Sequence, residues 1–255
     1  MPENIKVITF NLRCYNQNDG INHFDNRFPR ILEFLKKEQP DIVGFQEVDD
    51  HIKDVLKSNV NDYVLIGSGR DFDYCGESVL IGYKKDKFDL IKLEQLWLSD
   101  TPEVPGSRYA EDQSDCPRIM TAAFLKLKGN ASPFWFINTH LDHLGEKARL
   151  LEALQIIRFI QEKKHRVILT GDFNAEPNSI EIKAITENEI CPLLDCTACL
   201  GKTFHNFTDT TLSKIDYIFT SFDCDVSKSI VYPDESVNGV YLSDHRPVGA
   251  IIEVG

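Results

Sequence analysis

Apolar runs that stop at a single polar residue recur along this chain. Residues 5–12 (IKVITFNL) alternate imperfectly and predict a central strand ending at Asn11. Residues 28–35 repeat apolar side chains at helical spacing, with Pro29 suited to a first turn and Gln39-Pro40 as the stop. Residues 41–47 (DIVGFQE) form a second strand, closing on a carboxylate as the first closes on an amide. A short helix follows through Ile52, Val55 and Leu56, and strands are expected at 63–66, 77–83 and 88–98. Residues 99–117 are a polar loop with Pro102, Pro105 and Pro117, a length usually reserved for function.

Strands resume at 119–127 and 134–141, and residues 144–160 form the clearest amphipathic helix. Val167-Ile168-Leu169 then read as a buried strand, with Gly171 permitting a turn or a close approach. Asp172 and Asn174 are two residues apart, so on extended backbone they share a face. A short helix at 180–185 and strands at 214–220, 226–231 and 248–252 complete the chain. Strands follow strands too often for strict βαβ alternation, which predicts largely antiparallel sheets with helices packed outside. No linker divides the chain, so residues 1–255 are expected to form one domain.

Composition is that of an ordinary globular chain, 42% apolar and 27% charged. The formal charge of −12 opposes broad, sequence-independent adhesion to nucleic acid. Seven scattered cysteines form no disulfide framework, and Cys196-Thr-Ala-Cys199 has no second pair to complete a zinc site. No basic leader and no apolar run of membrane-spanning length are present, so membrane insertion is not expected and a cytoplasmic location is.

The polar residues that end the strands are chemically coherent. They are Asn11, Gln46-Glu47, the 138–143 segment NTHLDH, Asp172 with Asn174, Asp216, and Ser243-Asp244-His245. Carboxylates crowd together only where a cation or proton offsets their repulsion. Asn, Asp and Glu oxygens without thiolate are hard donors, suiting Mg²⁺, with Mn²⁺ as a substitute, rather than zinc. Histidines beside carboxylates, in a setting favouring imidazolium, suit charge stabilisation or protonation of a leaving group. Metal-assisted hydrolysis of a phosphate ester follows.

The set TFNLR (9–13), PDIVGFQE (40–47), INTHLD (137–142), LTGDFNAEP (169–177), KIDYIF (214–219) and SDHRPV (243–248) resembles the endonuclease/exonuclease/phosphatase superfamily. The motifs occur in that family's order over nearly the whole chain. The resemblance implies a four-layer α/β/β/α sandwich with the active site at one end of both sheets. It also implies roles: Glu47 as principal metal ligand with Asn11 beside it, and Asp244 adding a metal or water contact. Asp172 would orient or deprotonate the attacking water, and Asn174 would stabilise the phosphoryl oxygens. His245 would touch the phosphate with Asp216 fixing its tautomer, and His140 would be a second catalytic histidine with Glu77 as its partner.

Other residues stay open between site and scaffold. Asp142 and His143 either extend the site or cap the following helix, and Arg118 either holds a phosphate oxygen or lies on the surface. Trp97, Tyr109 and His205 are rim or packing residues, while Arg149 and Gln155 read as structural. The expected substrate is a small phosphorylated metabolite or head group. A nucleic-acid end is the alternative and would need Lys84, Lys85, Lys87, Arg108 and Arg118 gathered on the site's rim. A catalytically silent binding protein on the same fold is the third reading.

Overall fold

A computed structural model describes residues 2–110, 112–129 and 132–255. The first half of the chain runs β1 (Glu3–Asn11), α1 (Phe24–Glu38), β2 (Ile42–Val48), α2 (Asp50–Asn59), β3 (Tyr63–Ile66) and β4 (Ser78–Lys84). Next come β5 (Phe88–Trp97), β6 (Ile119–Leu127), β7 (Phe134–His140), α3 (Glu146–Lys163), β8 (Val167–Asp172) and α4 (Ile180–Thr186). The last part holds β9 (Leu194–Asp195), β10 (Asp216–Thr220), β11 (Asp223–Cys224), β12 (Ile230–Val231) and β13 (Val248–Val254). One sheet has the order β11-β13-β1-β2-β4-β3, with β12 also on β13, and the other β5-β6-β7-β8-β10-β9. Among the described strands, only β1–β2 and β7–β8 pair in parallel.

Three apolar layers make the four-layer sandwich. Ile5, Val7, Ile42 and Ile81 of the first sheet meet Phe134, Phe136, Ile168 and Ile218 of the second. The outer face of the first sheet, with Ile8, Phe10, Val43 and Phe45, is covered by Ile31 and Leu35 of α1 and Ile52 and Leu56 of α2. Ile156, Ile157 and Ile160 of α3, with Ile182 and Ile185 of α4, cover Trp135, Ile137 and Leu169.

The period-two alternation of strands also places the site. Along the inner face, β1 reads Ile5, Val7, Thr9, Asn11, β7 reads Phe134, Phe136, Asn138, His140, and β8 reads Ile168, Thr170, Asp172. Each strand is apolar at one end of the sandwich and polar at the other. The polar half is knitted across the sheets. Gln46 Nε2 donates to Thr9 Oγ1 (3.1 Å) and Asn138 Oδ1 (2.7 Å), and Asn138 Nδ2 donates to the carbonyls of Phe45 (2.8 Å) and Leu80 (2.9 Å). Gly44 is required here, because a Cβ would lie 2.4 Å from Thr170 Oγ1 and 2.6 Å from Asn138 Oδ1. Asn138 is therefore an inter-sheet pin and not part of the site.

Several expectations are corrected in detail. Helix α1 starts before Pro29, at Phe24, because Phe24 and Arg27 are already buried in its first turns. Pro29 thus sits within the helix. The strand expected at 226–231 is a 3₁₀ turn at Val226–Lys228, started by Asp225, whose side chain accepts from Ser227 N, followed by the two-residue β12. Lys214 and Ile215 precede β10 and do not belong to it.

Candidate active site

The polar strand ends open into a cleft of about 360 Å³. Glu47, Asp172 and His245 line it, and Asn11 is buried beneath them. Asn11 Nδ2 donates to Glu47 Oε1 and to Asp172 Oδ2, both at 3.0 Å, and so bridges β1, β2 and β8. Its Oδ1 accepts from Arg13 N at 2.9 Å. Asn11 is thus a tie between two carboxylates, with one lone pair of its Oδ1 used by Arg13 N.

Backbone geometry aims these groups. Arg13, Glu47 and Asn174 all have positive φ (56°, 58° and 47°), unusual for residues with a Cβ and typical of strained functional positions. The β2–β4 register shifts between Phe45 and Val48, and this irregularity carries Glu47 out of the ladder. Glu47 Oε2 accepts from Cys14 N at 2.9 Å. Burial pushes the Glu47 carboxyl up, but the donors from Asn11 and Cys14 N and the charges of His245 and Arg13 outweigh it and hold it below its ordinary value.

His245 Nδ1 lies 2.9 Å from Asp216 Oδ2, which also accepts from Thr203 Oγ1 (2.5 Å), and its Nε2 is 3.6 Å from Asp172 Oδ2. Burial opposes the charge on His245, yet Asp216 and Asp172 raise it well above the ordinary value. Asp172 is buried and lies beside Asp216, which pushes its carboxyl up to about 7 against the pull of His245 and the donors Asn174 N and Asn11. The pairing expected of Asp216 with His245 is therefore made.

His140 departs from expectation. Its Nε2 lies 3.1 Å from Asn174 Nδ2 and 3.6 Å from Asp172 Oδ2. Burial, and then the charges of Arg118 and Arg70, lower it well below its ordinary value, which favours the neutral ring as an acceptor from Asn174. Nor does Glu77 pair with it. Glu77 Oε2 meets Arg70 Nη1 at 2.8 Å, because Arg70 N donates to the Glu77 carbonyl (3.1 Å) and brings the guanidinium alongside.

Asp244 lines the cleft 3.8 Å from Arg13 Nε, and burial, with the charge of Glu47 adding to it, pushes it up. Arg118 is only 3% exposed and is not a surface residue. Its Nη2 lies 2.9 Å from His143 Nδ1, and its Nε forms an ion pair with Asp142 Oδ2 at 3.7 Å. Asp142 and His143 divide their alternatives. Asp142 Oδ1 accepts from Leu144 N and Gly145 N ahead of α3, whereas His143 lines the cleft.

Trp97, Tyr109 and His205 are packing residues. Trp97 is buried and donates to the Arg70 carbonyl at 2.6 Å. Tyr109 is held by Gln155 (2.9 Å), and His205 is buried beside Tyr241. Arg149 and Gln155 are structural as expected, Arg149 on Glu181 and Gln155 on Ser99 N and the Trp97 carbonyl. The seven cysteines are free thiols, and Cys196 is buried while Cys199 is exposed.

Sequence reasoning missed Arg70, whose loop carries no hydrophobic period. The available signal was its glycines. At Gly69 a Cβ would fall 1.9 Å from the Cys75 carbonyl oxygen, so the loop closes on itself only with glycine there.

The donor chemistry fits a divalent ion. Glu47 and Asp244 are hard oxygen donors with lone pairs toward the cleft, and burial keeps the lining Cys14 thiol protonated. Asp172, Asp216 and His245, with ligand atoms within 4.8 Å of one another, are a second possible acidic/His group. There, Asp216 Oδ2 is already shared by Thr203 and His245.

Residues 8–245 match the model of the Endonuclease/Exonuclease/phosphatase family. An endonuclease/exonuclease/phosphatase of Bacteroides vulgatus is 34% identical, with a TM-score of 0.88 over 99% of this chain and 100% of that one. A Bacteroides thetaiotaomicron mannosyl-6-phosphatase is 32% identical, with a TM-score of 0.88 over 98% of this chain and 100% of that one. A probable RNA exonuclease of Saccharomyces cerevisiae is 24% identical over 63% of this chain and 34% of its own length. With the motifs at the strand ends of an α/β/β/α sandwich, these matches make the chain a member of the Endonuclease/Exonuclease/phosphatase family and a hydrolase of phosphate esters.

Proposed function

We propose that the protein is a divalent-metal-dependent phosphatase that releases phosphate from the monoester of a small phosphorylated metabolite. The carrying observation is the shape and charge of the cleft. It is a half-open space of about 360 Å³ in which Glu47, Glu77, Asp172 and Asp244 interleave with Arg13, Arg70 and Arg118. That volume suits a small molecule, and the mixed charge is unlike the basic track that follows a nucleic-acid backbone. The likeness to a mannosyl-6-phosphatase over the full length of both chains supports the same class.

A divalent ion, Mg²⁺ or Mn²⁺, held by Glu47 with Asp244 beside it, would supply polarisation of the phosphoryl group. The chain's own groups do the rest. Asp172, fixed by Asn11 and Asn174 N, takes the proton of the attacking water. His245, kept cationic by Asp216, donates to a phosphoryl oxygen and stabilises the developing charge. Asn174 donates its amide to neutral His140 and to the Leu141 carbonyl (3.0 Å), which holds the residue against the phosphoryl position.

The likeness to a probable RNA exonuclease favours the second reading, a nuclease, but the lysines that reading needs are elsewhere. Lys84 and Lys87 pair with Asp41, at the start of β2 and the opposite end from Glu47, and Lys85 is bound to the Asn61 carbonyl. Arg108 is held by Ser114 and Asp115. The test is phosphate release from a panel of sugar phosphates, bis(p-nitrophenyl) phosphate and single-stranded RNA, with Mg²⁺ and with chelator. Preference for the monoesters is expected, and turnover of RNA alone would reverse the two readings.

A further inference from the structure

Away from the cleft, the fold brings together two cysteines that are distant in the chain. Strands β9 and β11 are the outermost of their sheets and are two residues long each. They lie on the same edge of the sandwich, where β13 packs on β10. Cys196 follows β9, its N–H donating to the Ile218 carbonyl of β10 at 2.9 Å, and Cys224 of β11 stands opposite Ile252 of β13. Ile218 and Ile252 belong to one apolar layer between the sheets; Cys196 is buried in that layer and Cys224 packs against it. There the two thiols interact directly, side chain to side chain.

Access distinguishes the two sulfurs. Cys196 is buried, whereas Cys224 is half-buried and lines a surface groove of about 320 Å³ with Asn4, Asp225, Lys228 and Glu253. An oxidant from solvent therefore meets Cys224 first. The hydrogen bond from the Cys196 thiol outweighs burial and holds the Cys224 thiol below its ordinary value, while the same contact and burial hold Cys196 well above it. Thiolate is the reacting form, so charge and access select the same sulfur. Cys199, on the turn after Cys196, is exposed and lies outside the layer. The groove is also remote from the cleft, since Ile252 stands opposite Ile5, toward the other end of β1 from Asn11.

We propose that Cys196 and Cys224 are a reversible thiol–disulfide pair that staples the outer strands of the two sheets when the protein meets a peroxide. Cys224 Sγ, as thiolate, displaces hydroxide from hydrogen peroxide and becomes a sulfenic acid. Cys196 Sγ attacks that sulfur, and its proton leaves with the sulfenic hydroxyl as water. The proton that Cys224 gave up turns the displaced hydroxide into a second water, so two thiols lose two electrons and one peroxide is reduced. The new bond closes the chain between residues 196 and 224 and joins the sheets where their strands are shortest. It restricts the unfolded chain and so stabilises the fold.

The test is titration of the reduced full-length protein with hydrogen peroxide, followed by non-reducing digestion with mass spectrometry and by calorimetry. A peptide pair linked Cys196–Cys224 and released by dithiothreitol is expected, with a melting temperature raised by roughly 5 °C or more. In Cys196→Ala the resolving sulfur is gone, so dimedone should trap a sulfenic acid at Cys224 and peroxide should leave the melting temperature within about 1 °C. Linkage of Cys196 to Cys199 would overturn the proposal. So would thiols at 196 and 224 that stay reduced while Cys199 is oxidised, or a linked protein that melts no higher than the reduced one. The linkage is read on the unmodified chain, so it decides even where the variant folds poorly.

Discussion

On the His245 side of the cleft the polar groups are tied to one another, Asn11 to Glu47 and Asp172, and Asp216 to His245 and Thr203, with Asp216 Oδ1 left over. On the Arg118 side the contacts are looser, Arg118 lying 2.9 Å from His143 and 3.7 Å from Asp142, with Arg70 on Glu77. The first set hangs from strand ends and the second mostly from loops. Groups that must hold one geometry through bond breaking are preorganised by their neighbours. That difference separates the preorganised carboxylate and histidine set from the arginine-lined wall of the cleft.

Breaking the tied side has the largest expected effect. Asp172→Asn should lower kcat by about 10³-fold, because the proton acceptor for water is removed; a loss under about tenfold would assign that proton to another group. The same variant carries a stability signature. The folded-state pKa of Asp172 is raised to about 7, so its contribution to stability is complete below the ordinary carboxylate range and is lost as pH rises through about 7. Above pH 7, Asp172→Asn should therefore melt higher than the unmodified protein, and the gain should vanish below the ordinary carboxylate range, read by calorimetry across pH.

Chelation comes next. Removing divalent ions should cost about 10²-fold or more in phosphate release, restored by Mg²⁺ or Mn²⁺. Undiminished activity after exhaustive chelation would contradict the assignment of Glu47 and Asp244. The pH profile of kcat/KM follows from the same groups. It should rise through about pH 7 as Asp172 ionises and fall on the alkaline side as His245 loses its proton. Asp216→Asn should lower kcat by about 10–100-fold and move the alkaline limb to lower pH, since the largest charge sustaining the imidazolium is gone. An alkaline limb that stays in place would separate Asp216 from His245.

How much of this was legible in the sequence follows from the same contrast. On a strand, period two fixes which face a residue takes, so Asn11, Asp172 and Asp216 could be placed together from apolar runs ending in polar residues, whereas Glu47 falls on the other phase of β2 and reaches the site through the register shift and its positive φ. Side-chain pairing inside the cluster was not legible. Glu77 precedes Ser78, the first residue of β4, and its partner depends on how the 67–77 loop folds back, which delivered Arg70 instead of His140. The charge states of the histidines likewise depend on three-dimensional neighbours. Both rings lie 3.6 Å from Asp172, but His245 also holds Asp216, whereas the charges of Arg118 and Arg70 act on His140. The arginine at 118 was visible, but its burial against His143 and Asp142 was not.

Smaller effects sharpen the picture. Asn138→Leu should cost about 2–4 kcal/mol in denaturant unfolding, because Gln46, Thr170 and two carbonyls lose their partner between the sheets. Replacing Lys84, Lys85 and Lys87 by alanine should leave kcat/KM on monoesters and on RNA within about twofold, since these charges lie at the far end of the sandwich beyond effective screening distance. A selective loss on RNA would restore the nuclease reading.

The most direct measurement of the central claim is single-turnover hydrolysis of a hexose 6-phosphate in ¹⁸O-labelled water with Mg²⁺, with both products read by mass spectrometry. Water attack on phosphorus from the Asp172 side places one labelled oxygen in the inorganic phosphate and none in the sugar. Label in the sugar, or no phosphate released while RNA is degraded, would contradict the account.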